Sequence, residues 1–236
     1  MISLKRSLGI IGGMGPQATV DFMQRLVSMT EVSGDADHMR VYADSHPQIP
    51  NRVAAILSGG ESPLPAMLQS LEKLQACGAE VIAMPCITAH YFMEGLLEQA
   101  KVEMLDMRAL TVDACLHDFP GKTAAVLSTV ATAKSGLLTS ALQEKGVSCI
   151  IPDEAGLQEM GQLILNVKAN HEPERTVARF EAIVADLQEK GADYFVLACT
   201  EIPIMAQQSG ISIAYVDPTA QLAKAAILAC GYPLRA

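Results

Sequence analysis

The chain repeats itself, and the repeat falls on two of its cysteines. Gly78-Ala-Glu-Val-Ile-Ala-Met-Pro-Cys86 returns later as Gly191-Ala-Asp-Tyr-Phe-Val-Leu-Ala-Cys199. In each copy Gly-Ala-acid opens an apolar run that ends at Cys. The segments that follow also match. Val102-Glu-Met-Leu-Asp106 and Ile213-Ala-Tyr-Val-Asp217 each precede a helical pattern. Asp106 and Asp217 read as N-caps, and Pro218 suits a first helical position. The apolar run at 8–12 then corresponds to that at 123–128. Self-similarity on this scale predicts two similar halves of four strands each.

The rest of the chain fits that division. Short runs rich in Val and Ile, expected as strands, lie at 8–12, 40–44, 80–84, 102–105, 123–128, 148–151, 193–198 and 213–216. Helical periodicity lies between them. Val20, Met23, Leu26 and Val27 share one expected face, as do Leu64, Met67, Leu68, Leu71 and Leu74. Leu157, Met160, Leu163, Ile164 and Val167 form a third, and Val177, Phe180, Ile183, Val184 and Leu187 a fourth. Strands that alternate with helices and are apolar on both faces predict parallel sheets covered by helices, an α/β fold. The expected domains are 1–105 with a returning C-terminal helix in 218–236, and 106–217. A duplicated unit of this kind implies a pseudo-twofold axis with a cleft between halves.

Charge and composition narrow the partners. The formal net charge of −9 speaks against nucleic acid, which wants a basic face. No run of about 18 apolar residues suggests a membrane span. Lys5 and Arg6 before Leu8–Ile11 imitate a signal peptide, but the apolar run is short and stops at Gly-Gly-Met-Gly-Pro. A cytoplasmic protein is the expectation. The six cysteines include no CxxC pair, so no metal site is expected.

Ligands of such sheets bind at the carboxyl ends of the strands, where Cys86 and Cys199 both fall. Moving a proton from one face of a carbon to the other takes two groups, one accepting and one donating. Thiols suit both roles, because their reference pKa of about 8.5 is readily tuned. Thr88 and Thr200 follow the cysteines closely and supply hydroxyls. Glu201 reads either as a holder of a substrate ammonium group or as a helix-start acid. His90 reads as a helper to the thiolate or as a helix-surface or core histidine. Asp44 reads as a cleft residue or a turn former. Gly13-x-Gly15-x-x-Ala18 imitates a dinucleotide fingerprint, a reading that leaves the paired cysteines unexplained.

Four segments in order carry a resemblance along almost the full chain. They are Gly9-Ile-Ile-Gly-Gly-Met-Gly-Pro16, His46-Pro-Gln-Ile-Pro-Asn-Arg52, Met84-Pro-Cys-Ile-Thr-Ala-His90 and Cys199-Thr-Glu-Ile202. Together they resemble the aspartate racemase branch of the aspartate/glutamate racemase superfamily. The resemblance implies two flavodoxin-like domains and racemisation of aspartate or glutamate with no pyridoxal phosphate or other cofactor. Catalytic thiols are implied at Cys86 and Cys199, and a homodimer as the assembly. The resemblance implies Arg52 and Lys168 on the distal carboxylate, and the expected substrate-binding set as a whole is Met14, Arg52, Ile87, Thr88, Thr200, Glu201 and Lys168. The family usually has Asn directly after the first cysteine; Ile87 supplies only its backbone N–H there. That departure keeps two alternatives in view. One is a related isomerase or decarboxylase of a small dicarboxylate. The other is a dicarboxylate-binding protein without turnover.

Overall fold

The computed structural model describes residues 5–235. The chain divides into two compact units, one running to Met107 and resuming at Thr219, the other Arg108–Pro218. The first unit holds β1 (Leu8–Gly12), β2 (Val41–Ser45), β3 (Val81–Ala83) and β4 (Glu103–Met104). The second holds β5 (Ala124–Ser128), β6 (Cys149–Ile150), β7 (Tyr194–Ala198) and β8 (Tyr215–Val216). The sheet orders are β2-β1-β3-β4 and β6-β5-β7-β8, the same order in each unit. All pairings between these strands are parallel. The eight strands thus lie where the apolar runs predict them, within one or two residues.

Burial explains the strand composition. Every residue of β1, β3, β5 and β7, the inner strands, is buried. A strand covered by helices on both faces tolerates no polar alternation. In the first unit Leu71 and Leu74 of the helix Leu64–Ala76 join Ile11 and Ile82 in one core. In the second, Met160, Leu163 and Ile164 meet Phe180, Ile183, Val184 and Leu187 from the next helix over β5 and β7. Three of the four expected helical faces are therefore the buried ones.

The fourth is rotated. The helix Pro16–Met29 buries Ala18, Thr19, Phe22 and Leu26. Val20 and Val27 stay 58% and 53% exposed, and Met23 40%. Phe22 is the largest apolar side chain on the helix, and Ala18-Phe22-Leu26 is itself an i, i+4, i+8 stripe. Thr19 adds a polar anchor, since its hydroxyl accepts from the Gly13 N–H at 2.8 Å. The Val20, Met23, Val27 flank lies beside that stripe. Among the described residues no helix is long and apolar enough to cross a membrane.

Deep burial also sets an alkaline limit. Burial pushes the Cys115 and Cys230 thiols from 9.0 up to about 11, and raises the Tyr194 hydroxyl as well. Unfolded thiols ionise first, so between those values the unfolded state binds fewer protons and stability falls as pH rises. Urea unfolding at pH 8 and pH 10.5 should show a lower midpoint at the higher pH. A Cys115→Ala, Cys230→Ala variant, though weaker at pH 8, should lose less on the same step.

Candidate active site

In each sheet the chain leaves the two middle strands in opposite directions. That switch point, at the carboxyl ends, is where open α/β sheets leave a crevice. In the first unit it lies between β1 and β3 and presents Gly12–Gly15 and Met84–Thr88. In the second it lies between β5 and β7 and presents Ser128–Thr132 and Cys199–Glu201. Each unit therefore carries one cysteine of the repeat at its switch point.

In the first unit the glycine turn and the His46–Arg52 segment form one construction. Gly13 has φ +88°, and a Cβ there would stand 2.3 Å from the His46 backbone nitrogen. Only glycine fits so close to another backbone. The His46 N–H donates to the Gly12 carbonyl at 3.3 Å. Ile49 is buried in the core, and Asn51 caps the short helix Arg52–Leu57 by accepting from the Ala54 N–H. Arg52 then ties the loops together. Its guanidinium donates to the carbonyls of Ile49, Pro50 and Met14, each at 3.1 Å. Its Nε is buried and has no protein partner, as does His46 Nδ1. Met14 turns its side chain into the core, leaving only backbone groups for a ligand. Asp44, the last residue but one of β2, has the Lys73 ammonium at 3.9 Å.

Cys86 follows β3, half-buried against the same core. Its N–H donates to the Met84 carbonyl at 2.8 Å, and its carbonyl accepts from the Ala89 N–H at 3.2 Å. A single 3₁₀ segment, Ile87–Phe92, begins at once. Ile87 and Thr88 are both buried. His90 is 1% exposed and is not a surface residue of a helix.

In the second unit Cys199 follows β7 directly. Its thiol donates to Glu201 Oε2 at 3.0 Å, and the Thr200 hydroxyl donates to the same oxygen at 3.0 Å. Lys168, in the last turn of the helix Glu154–Ala169, stands 3.6 Å from Glu201 Oε1. Glu201 is 6% exposed, and a carboxylate so buried needs partners of this kind. The unit thus brings Cys199, Thr200, Glu201 and Lys168 together. Across the sheet, Ser128 is in register with Ala198. Thr129 caps the next helix, its hydroxyl accepting from the Thr132 N–H at 3.2 Å. These hydroxyls were absent from the expected site. The signal was available, because Ser-Thr-x-x-Thr closes a buried strand where a helix starts. Among the described residues no three His, Cys, Asp or Glu side chains gather as a metal site requires.

A family model described as Asp/Glu/hydantoin racemase matches residues 11–226. The chain belongs to that family. It is 33% identical to the aspartate racemase of Picrophilus torridus, with a TM-score of 0.86 over 98% of this chain and 96% of that one. It is 28% identical over 226 residues to the broad specificity amino-acid racemase RacX of Bacillus subtilis, covering 93% of this chain and 96% of that protein. Glutamate racemase from Francisella tularensis, solved with D-glutamate, shares the fold at 17% identity, with a TM-score of 0.65 over 93% of this chain and 78% of that one.

The geometry of Arg52 makes it a clasp whatever else it binds. Arg52→Lys keeps the charge but cannot reach three carbonyls with one planar fork. Loss of two such bonds should destabilise the protein by about 2 kcal/mol in urea unfolding. An unchanged midpoint would show that the three bonds add nothing.

Proposed function

We propose that this protein racemises a small amino acid with Cys86 and Cys199 as its acid and base, and with no cofactor. The observation that carries the reading is the matched position of the two thiols. Each follows the equivalent inner strand of an identically ordered sheet, in a chain of racemase family. One thiolate removes the α-proton and becomes a thiol. The other thiol delivers its proton to the opposite face of the carbanion and becomes a thiolate. Atoms and charge balance, and the two sulfurs exchange roles with each turnover.

Their surroundings argue for unequal resting states. The Cys199 thiol is a hydrogen-bond donor to Glu201, and a carboxylate beside a sulfur favours the protonated form. Among the described residues no carboxylate bonds to the Cys86 thiol. We assign the resting proton to Cys199, so that Cys86 is the first base. Glu201→Gln should then change the ratio of kcat values for the two enantiomers. Their kcat/KM values must stay equal, because the reaction's equilibrium constant is about one. A kcat ratio that does not move would reject this assignment.

An acidic amino acid, aspartate or glutamate, is the substrate class proposed. Thr88, Thr200 and the backbone N–H groups of Met14 and Ile87 would take the α-carboxylate. The side-chain carboxylate would go to Lys168 and to Arg52, whose buried Nε–H lacks a partner. A second reading rests on Ile87 and on the cations' existing partners. Lys168 already faces Glu201, and Arg52 already holds three carbonyls, so the range of side chains accepted is broader than two acids. The likeness to a broad specificity racemase is in keeping with it.

Deuterium uptake at the α-carbon tests both. L- and D-aspartate, L- and D-glutamate and a panel of neutral and basic amino acids are incubated in deuterated water and followed by mass spectrometry. Exchange and racemisation of at least one should fall by about 10²-fold or more in Cys86→Ser and in Cys199→Ser. If no amino acid exchanges, racemisation is rejected. Conversion of maleate or a malonate would then point to an isomerase or decarboxylase. Thermal stabilisation by a dicarboxylate without conversion would point to a binding protein.

A further inference from the structure

The imidazole of His90 joins two backbone groups seventeen residues apart. Nδ1 lies 2.9 Å from the Cys86 carbonyl oxygen. Nε2 lies 3.1 Å from the backbone nitrogen of Met107, whose N–H donates to it. The partners determine the tautomer. A carbonyl can only accept, so Nδ1 carries the hydrogen; an N–H can only donate, so Nε2 offers its lone pair. The ring is neutral in this arrangement. Both nitrogens are engaged, which leaves neither to exchange a proton with a thiol or a substrate.

Each end of this bridge meets a distinct need. Met107 is the first residue of the helix Met107–Asp118, and its N–H has no partner within that helix. The Cys86 carbonyl already accepts from the Ala89 N–H at 3.2 Å. The His90 bond fills its second lone pair and fixes the peptide plane that leads out of Cys86. The strand ends three residues earlier, at Ala83, so β3 itself does not hold the cysteine. His90 is 1% exposed, and water does not compete for either bond.

We propose that His90 is a positioning residue for Cys86: through the Cys86 carbonyl it fixes the aim of that thiol, while its other nitrogen caps the helix that starts at Met107. This rests on the reading of Cys86 as an acid–base thiol. It replaces any direct role for the imidazole in proton transfer.

The two bonds can be separated by substitution. His90→Asn places an amide N–H near Nδ1 and keeps the bond to Cys86, but cannot reach Met107. His90→Gln places an amide oxygen near Nε2, keeps the bond to Met107 and gives up that to Cys86. Both are buried polar replacements of similar cost, and circular dichroism and urea unfolding establish that each is folded. His90→Asn should retain kcat within a few-fold, and His90→Gln should lose about 10- to 100-fold in kcat with KM little changed. A second readout needs no turnover. Limited alkylation with iodoacetamide, read by peptide mass spectrometry, gives the rate at Cys86 relative to Cys199 in the same molecules. That ratio should shift by about tenfold in His90→Gln and stay close to the parent value in His90→Asn. If both variants fold and neither the ratio nor kcat separates them, the positioning role is overturned. If the ratio separates them while the parent racemises nothing, the positioning stands and the racemase reading fails. Should His90→Asn not fold, His90→Asn with Met107→Pro, which removes the N–H that Asn leaves unpaired, stands in for it; should His90→Gln not fold, His90→Leu with Met107→Pro, which gives up the Cys86 bond, stands in for that variant.

Discussion

A parallel strand covered on both faces has no room for chemistry along its length. Every residue of β1, β3, β5 and β7 is buried, and a polar side chain within them would be stripped of water without a partner. The two cysteines of the repeat stand instead at the first positions past the strand ends. Cys199 follows β7 directly and Cys86 follows β3 by three residues. The same constraint accounts for the glycines after β1. The turn there must pass close to the His46 backbone, and only a residue without a Cβ does so at φ +88°.

Displacement past the strand creates a second problem, because ladder hydrogen bonds no longer hold the chain. The two halves of the repeat answer it differently. Beside Cys86 the backbone is held, with the carbonyl accepting from both the Ala89 N–H and His90. Beside Cys199 the sulfur itself is held, through its bond to Glu201. The duplication is thus exact in topology and unequal in chemistry. The proposed racemisation would profit from that inequality, since one thiol must start as acid and the other as base.

What the sequence made legible follows from the range of each interaction. Strand positions and sheet class were readable because burial writes itself directly into composition. The equivalent placement of Cys86 and Cys199 after β3 and β7 was readable because the duplication left the same short string twice. Arg52 was recognised, but its hold on three carbonyls depends on a loop folded back over the β1 turn, and no local pattern records that. His90 bonds a residue seventeen positions away, so the spacing from Cys86 showed only half of its connections. The helix Pro16–Met29 misled for a different reason. Two apolar stripes overlap on it, and the choice between them is made by Thr19 bonding to Gly13 and by the bulk of Phe22, both tertiary effects.

Ile87 ties these threads to specificity. The residue is 3% exposed. An amide at that position would bury two donors and an acceptor, each needing a partner, and a bound carboxylate is the natural one for the donors. Isoleucine has no such need and contributes instead to packing over the 3₁₀ segment. In the proposed reaction, recognition of the α-carboxylate would then fall to backbone N–H groups and threonine hydroxyls, which every amino acid would satisfy alike. A site that loses one side-chain hydrogen bond to the common part of its substrates gives up about 1–3 kcal/mol for all of them equally. Discrimination is left to the groups that meet the side chain. Of the two cations proposed for that task, Lys168 faces Glu201 and Arg52 is committed to its loop. On the proposed function, the physical balance would therefore favour groups common to all amino acids over demand for one particular side chain.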